Sequence, residues 1–209
     1  MKTSLKNTSS FINTVYSYLG YKNIEHDEKI DKLIEECIDE VIDLSQFKYI
    51  YSKFDYRLDF LNNNNAYQKL LHDSNSYFLV LTTLGKRIDD KCKYYSVIDM
   101  TKSLVFDAVS SAYLEYMADS FEEEEFKMVH SYRFCPGYQG TKTDDIREIF
   151  KHLDHNKIGV SILDSNLMIP LKTMCGIIAI GVEAKKECGD CYLKEKCEFR
   201  KGGRVCFKN

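Results

Sequence analysis

Arg133-Phe134-Cys135-Pro136-Gly137-Tyr138-Gln139-Gly140 is the stretch at which this 209-residue chain changes character. Pro136-Gly137 predicts a tight turn, because proline presets φ and glycine accepts the positive φ such turns require. Only Gly20 and Gly85 precede residue 137, whereas the other eight glycines and both prolines, Pro136 and Pro170, follow residue 135. That asymmetry predicts regular elements in the first two-thirds, and turns, close backbone approaches and sites in the last third.

Upstream, a short helix is expected over 10–19, with Phe11, Val15, Tyr18 and Leu19 on one face and Gly20 as its stop. A clearer helix covers 27–43, where Ile30, Leu33, Ile34, Cys37, Ile38, Val41 and Ile42 keep the 3.6-residue period. Cys37 lies in that stripe and reads as a core thiol. FKYIYSKFDYRLDF (47–60) predicts a strand or strand pair, Asn62 to Asn65 a solvated turn, and SYFLVLTTLG (76–85) a buried strand or a short apolar helix. A long helix is expected over 97–119, followed by Glu122–Glu125 as a solvated face or loop.

Downstream of the turn, residues 143–154 predict a helix with Thr143 as N-cap and Ile146, Ile149, Phe150 and Leu153 facing inward. KIGVSIL (157–163) and TMCGIIAIGVE (173–183) predict two strands around a loop at 164–172. Helices gather early and strands are interspersed without a βαβ rhythm, so the expected class is α+β. One domain is expected over 1–183, with a basic, cysteine-bearing tail over 184–209.

Composition narrows the function. A 44% hydrophobic fraction is enough for a packed core, which excludes disorder. The net charge of -3 argues against general nucleic-acid binding. No apolar run approaches the roughly 20 residues that span a bilayer, and MKTSLKNTSS has no h-region. A cytoplasmic protein with neither a nucleic-acid nor a membrane partner is expected, its eight cysteines serving as thiols, metal ligands or redox groups. No GxGxxG follows a strand, and GxxxxGK[ST], HExxH and GxSxG are missing. His152 and His155 read as helix-end residues rather than metal ligands. No catalytic acid–base constellation is predicted.

Arg133-Phe-Cys135-Pro136-Gly137-Tyr138 resembles the R-x-x-P-G-Y signature of the activation (reactivation) domain of cobalamin-dependent methionine synthase. Leu163-Asp164-Ser165-Asn166-Leu167-Met168-Ile169-Pro170 is similar to that family's second signature, T-[ED]-S-x-x-M-x-P, at the family's interval. The specific likeness covers 131–181. It implies helices packed around a twisted, mainly antiparallel sheet, and a shallow groove for S-adenosylmethionine (AdoMet). It also implies that the bound methyl is presented to a cobalamin, or another corrinoid, held by a partner. Arg133 offers a planar fork suited to the AdoMet carboxylate. Pro136-Gly137 lets backbone groups approach a ligand, Tyr138 can cover a ring face, and Cys135 contributes through its backbone. Asp164 and Ser165 support the groove.

The departures matter as well. Gln139 stands where the family continues with proline, and the family's C-terminal tyrosine-containing stretch is not recognisable after Gly181. The D-x-H-x-x-G cobalamin motif is absent, so the chain resembles a free-standing activation domain. The expected role is accessory to methyl transfer from AdoMet to cob(I)alamin. Its expected partners are a corrinoid-binding protein or methyltransferase, with flavodoxin or ferredoxin as electron donor.

Cys188, Cys191, Cys197 and Cys206 crowd the tail. A CxxC followed by two further cysteines suits four-thiolate zinc or an Fe–S cluster. The spacing is neither the C-x2-C-x2-C run of ferredoxins nor the C-x3-C-x2-C of radical AdoMet enzymes. Two alternatives stay open: an Fe–S or zinc electron-transfer module that keeps the fold without AdoMet chemistry, and an interaction protein with a zinc knuckle.

Overall fold

The computed structural model describes residues 5, 9–21, 26–184, 188–189, 194–201 and 203. Helix α1 (Ser9–Tyr18) buries Phe11, Val15 and Tyr16. Helix α2 (Glu28–Leu44) begins where the Asp27 carboxylate accepts from the backbone N–H groups of Lys29 and Ile30, which satisfies donors that the first turn leaves open. Its apolar stripe packs as the periodicity predicts, and Cys37 is fully buried in it.

Three antiparallel strands, β1 (Lys48–Phe54), β2 (Tyr77–Thr83) and β5 (Thr173–Ala179), form the main sheet in the order β1-β2-β5. All seven residues of β2 are buried, which is why its sequence shows a continuous apolar run instead of alternation. The expected strand over 47–60 is shorter, and its second half turns into a 3-10 segment at Asp59–Asn62. The four-asparagine stretch is not merely a solvated turn: Asn64 caps the short helix α3 (Asn65–Leu70) by accepting from Ala66 N.

The long helix expected over 97–119 is present, starting at residue 100 and running on to 125, and a second helix that was not expected precedes it. Helix α4 (Lys86–Ile98) ends and helix α5 (Met100–Glu125) begins at Asp99, whose extended backbone breaks the path and whose carboxylate accepts from Lys102 N. Residues 122–125 are the last turn of α5, where Glu123, Glu124 and Glu125 form the solvated face but Glu122 is buried. The inward face that carries Leu114 and Ala118 reaches Glu122 after one more turn.

One sheet face carries Leu79, Leu81, Cys175, Ile177 and Ala179. It packs against α3, the 3-10 segment and helix α6 (Asp145–Lys151), which supplies Ile146, Ile149 and Phe150. The opposite face, with Phe78, Val80 and Ile178, packs on Phe121 and Phe126 at the end of α5. Helices α1, α2, α4 and α5 share a separate core that includes Phe11, Val15, Ile34, Ile88 and Phe106.

Thr143 does not cap α6, which starts two residues later without a side-chain cap bond. KIGVSIL is also not one strand. A 3-10 turn at His155–Ile158 ends on Gly159 with φ +72°, and only β3 (Ser161–Ile162) is extended. It pairs with β4 (Met168–Ile169), inside the expected loop, and not with β5. Among the described residues no helix is long and apolar enough to cross a membrane.

Candidate functional site

The Arg133–Tyr138 stretch grows out of the free edge of the sheet. His130 bridges Ile180 and Phe134 bridges Ile177, both antiparallel. Four residues advance on one side while three advance on the other, so the 131–133 stretch accommodates one extra residue, as a β-bulge does. Ser131 fills the irregularity: its N–H donates to Ala179 O and its hydroxyl oxygen accepts from Ala179 N, both at 2.9 Å.

The Arg133 side chain lies flat over β5 because residue 176 is glycine. A Cβ there would sit 2.5 Å from Arg133 Cγ and 3.0 Å from Phe134 O. The guanidinium then reaches α5, where it donates to Glu122 and, at 3.1 Å, to Asp119 Oδ1. Arg133 and Glu122 side chains are each only 7% exposed. Burial works against the charge of Arg133, but the surrounding carboxylates outweigh it and its pKa rises. Burial also pushes the Glu122 carboxyl up, and Arg133 opposes that shift.

The turn that follows is held from within. Gly137, at φ +95°, donates its N–H to Thr141 Oγ1 at 2.9 Å, and that hydroxyl donates to Tyr138 O. Tyr138 O also accepts from Thr141 N, closing a turn whose two central residues, Gln139 (φ +52°) and Gly140 (φ +79°), are both left-handed. This is type I′ geometry. A proline is locked near φ -65° and cannot occupy position 139, so the glutamine belongs to a turn the family's proline does not permit. Asn64 Nδ2 donates to Gly140 O from α3. Pro136 is buried, Cys135 is half-buried, and Tyr138 is 66% exposed. The cavity of about 250 Å³ beside Arg57, His72 and Tyr77 contains none of these residues.

The second predicted segment sits at the tip of the β3–β4 hairpin. Leu163 N donates to Leu167 O, Asn166 N donates to Leu163 O, and Asn166 has φ +66°. Asp164 and Ser165 are exposed, and Asp164 Oδ1 is 3.8 Å from Arg147 NH2. The hairpin is fastened to α6: Arg147 donates to Asn166 Oδ1 and Leu163 O, each at 2.6 Å, and Asn166 Nδ2 donates to Asp144 Oδ1. Gly137 packs towards Thr143 at the same end of α6. The start of α6 is thus the structural link between the two segments.

Ser131, Thr141, Arg147, Asn166 and Gly176 hold the site together, and the sequence reading singled out none of them. The one visible signal was Glu122, which recurs four residues after Ala118 on an inward-facing helix stripe.

The tail is only partly described. Cys188 and Cys197 are half-buried free thiols, while Cys191 and Cys206 lie outside the described residues. Among the described residues no group of three or more His, Cys, Asp or Glu is placed to hold a metal.

No protein-family model matches the chain, and no curated protein matches its sequence. The fold does have a counterpart. A crystal structure of the MetH reactivation domain bound to AdoHcy superposes with a TM-score of 0.53 at 13% identity. The match covers 86% of this chain and 73% of that one. The chain has the α+β fold of that domain.

Proposed function

We propose that this protein binds AdoMet at the 133–141 turn and serves the reductive remethylation of a corrinoid cofactor carried by a partner protein. One observation carries the reading: the R-x-x-P-G-Y stretch opens from the sheet edge in a chain with the fold of a reactivation domain seen bound to AdoHcy. The residues suit the ligand. Gly137 and Gly140 leave the backbone uncovered, and Tyr138 stands exposed beside them as an aromatic face.

When bound, AdoMet supplies a methyl group to the cob(I) form that an external one-electron donor generates from cob(II), and the sulfonium sulfur keeps the C–S bond pair and leaves as AdoHcy. The chain's own part is to bind and orient. The buried ion pairs of Arg133 fix the base of the turn, so Arg133 acts here as a positioning residue. A corrinoid-binding methyltransferase is the proposed partner, with flavodoxin or ferredoxin as electron donor.

The test is calorimetric titration with AdoMet. Micromolar binding, weakened about tenfold in Tyr138→Ala, is expected; a wild type with no measurable affinity would refute the reading. One feature favours a second reading, an Fe–S or zinc module that retains the fold alone: the Arg133 guanidinium is already occupied by two carboxylates. That reading expects no AdoMet binding. For the four tail cysteines we propose a metal site, on their spacing alone. Anaerobic metal analysis with an absorption spectrum separates iron from zinc, and metal-free protein rejects both.

A further inference from the structure

Helix α5 turns three carboxylates, Glu115, Asp119 and Glu122, towards one side, at i, i+4 and i+7. Arg133 engages the last two. Glu115 is left with a neutral partner: Tyr18 Oη, at the end of α1, donates to Glu115 Oε1 at 2.6 Å. Among the described residues no Lys or Arg lies within ion-pair distance of Glu115. Tyr18 itself is 47% exposed. Crowding by neighbouring atoms and then the Glu115 carboxylate hold its phenol well above the ordinary range, and Tyr138 and Cys135 are near enough to add to that rise. Glu115 stands one turn before the Asp119 that holds Arg133, so the exposed Tyr18 ring and a carboxylate with no cationic partner among the described residues lie on the side of α5 that faces the stretch leading to the exposed Tyr138.

Aromatic faces and a carboxylate without a cationic partner are the chemistry that recognises a positively charged ligand centre. AdoMet carries such a centre in its sulfonium, and AdoHcy, otherwise the same molecule, does not. Resting on the AdoMet reading, we infer that Tyr18, Tyr138 and Glu115 form a sulfonium-recognition wall that makes the site select AdoMet over AdoHcy. Selection of this kind releases the spent cofactor: once the methyl group has gone, the charge that the wall holds has gone with it.

The experiment is titration of the full chain with AdoMet, AdoHcy and sinefungin, whose ammonium replaces the sulfonium. Wild type is expected to prefer AdoMet and sinefungin over AdoHcy by about tenfold. Glu115→Gln, which keeps the size and an acceptor for Tyr18, should reduce that preference to about threefold or less while leaving AdoHcy affinity unchanged. Tyr18→Phe keeps the ring and should retain the preference, whereas Tyr18→Leu should lose part of it. Equal wild-type affinities for AdoMet and AdoHcy overturn the wall while leaving the AdoMet reading intact. A Glu115→Gln variant that weakens both ligands in parallel does the same, since a purely structural role predicts that result. Failure of all three ligands to bind overturns both proposals together.

Discussion

The two segments that pair in the sequence live in opposite surroundings. Arg133 is sunk between β5 and α5 with its guanidinium engaged by two carboxylates, while Asp164 stands in solvent beside one long ion-pair contact. The first segment is therefore part of the scaffold at its base and becomes surface only at Gly137 and Tyr138. The second is exposed at Leu163, Asp164, Ser165 and Leu167, steadied by Arg147 and Asn166 from behind, and becomes buried only at Pro170. Residues within one motif can thus have unlike energetics. A buried charge is worth a great deal only because removing its partner strands the other charge, and an exposed one is screened by water.

That contrast breaks most sharply at Arg133. Arg133→Ala leaves Glu122 buried without its cation and should cost about 3–5 kcal/mol in urea unfolding. Its pH dependence has a definite sign. The folded Glu122 pKa is already raised by burial, so the group favours folding below its ordinary range, and that contribution is lost as pH rises through the folded pKa. Removing Arg133 raises the folded value further, so the variant's deficit should be smaller at pH 4 than at pH 8. A deficit independent of pH would mean that Glu122 is not the stranded group.

Gly176→Ala tests the same region from the sheet side. The new Cβ would collide with the Arg133 stem and the Phe134 carbonyl, with an expected loss of about 1–3 kcal/mol. Combined with Arg133→Ala it should cost less than the sum, because the Arg133 stem, the nearer of the two clash partners, is gone while the Phe134 carbonyl stays. Arg147→Ala removes two hydrogen bonds from the hairpin tip. About 1 kcal/mol is expected, with faster hydrogen exchange confined to 161–169. Asp164→Ala should change stability by no more than about 0.5 kcal/mol; a larger loss in thermal unfolding would erase the distinction between the two segments.

Much of this was legible in the residues. The 3.6-residue stripe of α2 and the burial of Cys37 follow from local spacing alone, as does the turn at Pro136-Gly137. Helix α4 was harder to see. Asp99 can cap a new helix, but nothing local prevents a continuous helix through it. Helix α4 contributes only Ile88, Asp89 and Tyr95 as buried residues, a pattern too sparse to stand out by periodicity. The β3–β4 pair failed for a different reason: two-residue strands have no period to read.

The sequence by itself determined the turn at Pro136-Gly137 and the apolar face of α2. Those properties depend on φ preferences and on side-chain spacing along one element, which neighbours in sequence decide. Only the tertiary structure decided that Arg133 is held by Glu122 and Asp119, that Gly176 makes room for it, and that Tyr18 reaches Glu115 across 97 residues of chain. Those depend on how α1, α5 and the edge of β5 pack together. Partners far apart in sequence are chosen by burial, since a charge leaving water must find its counter-charge wherever the fold has placed one.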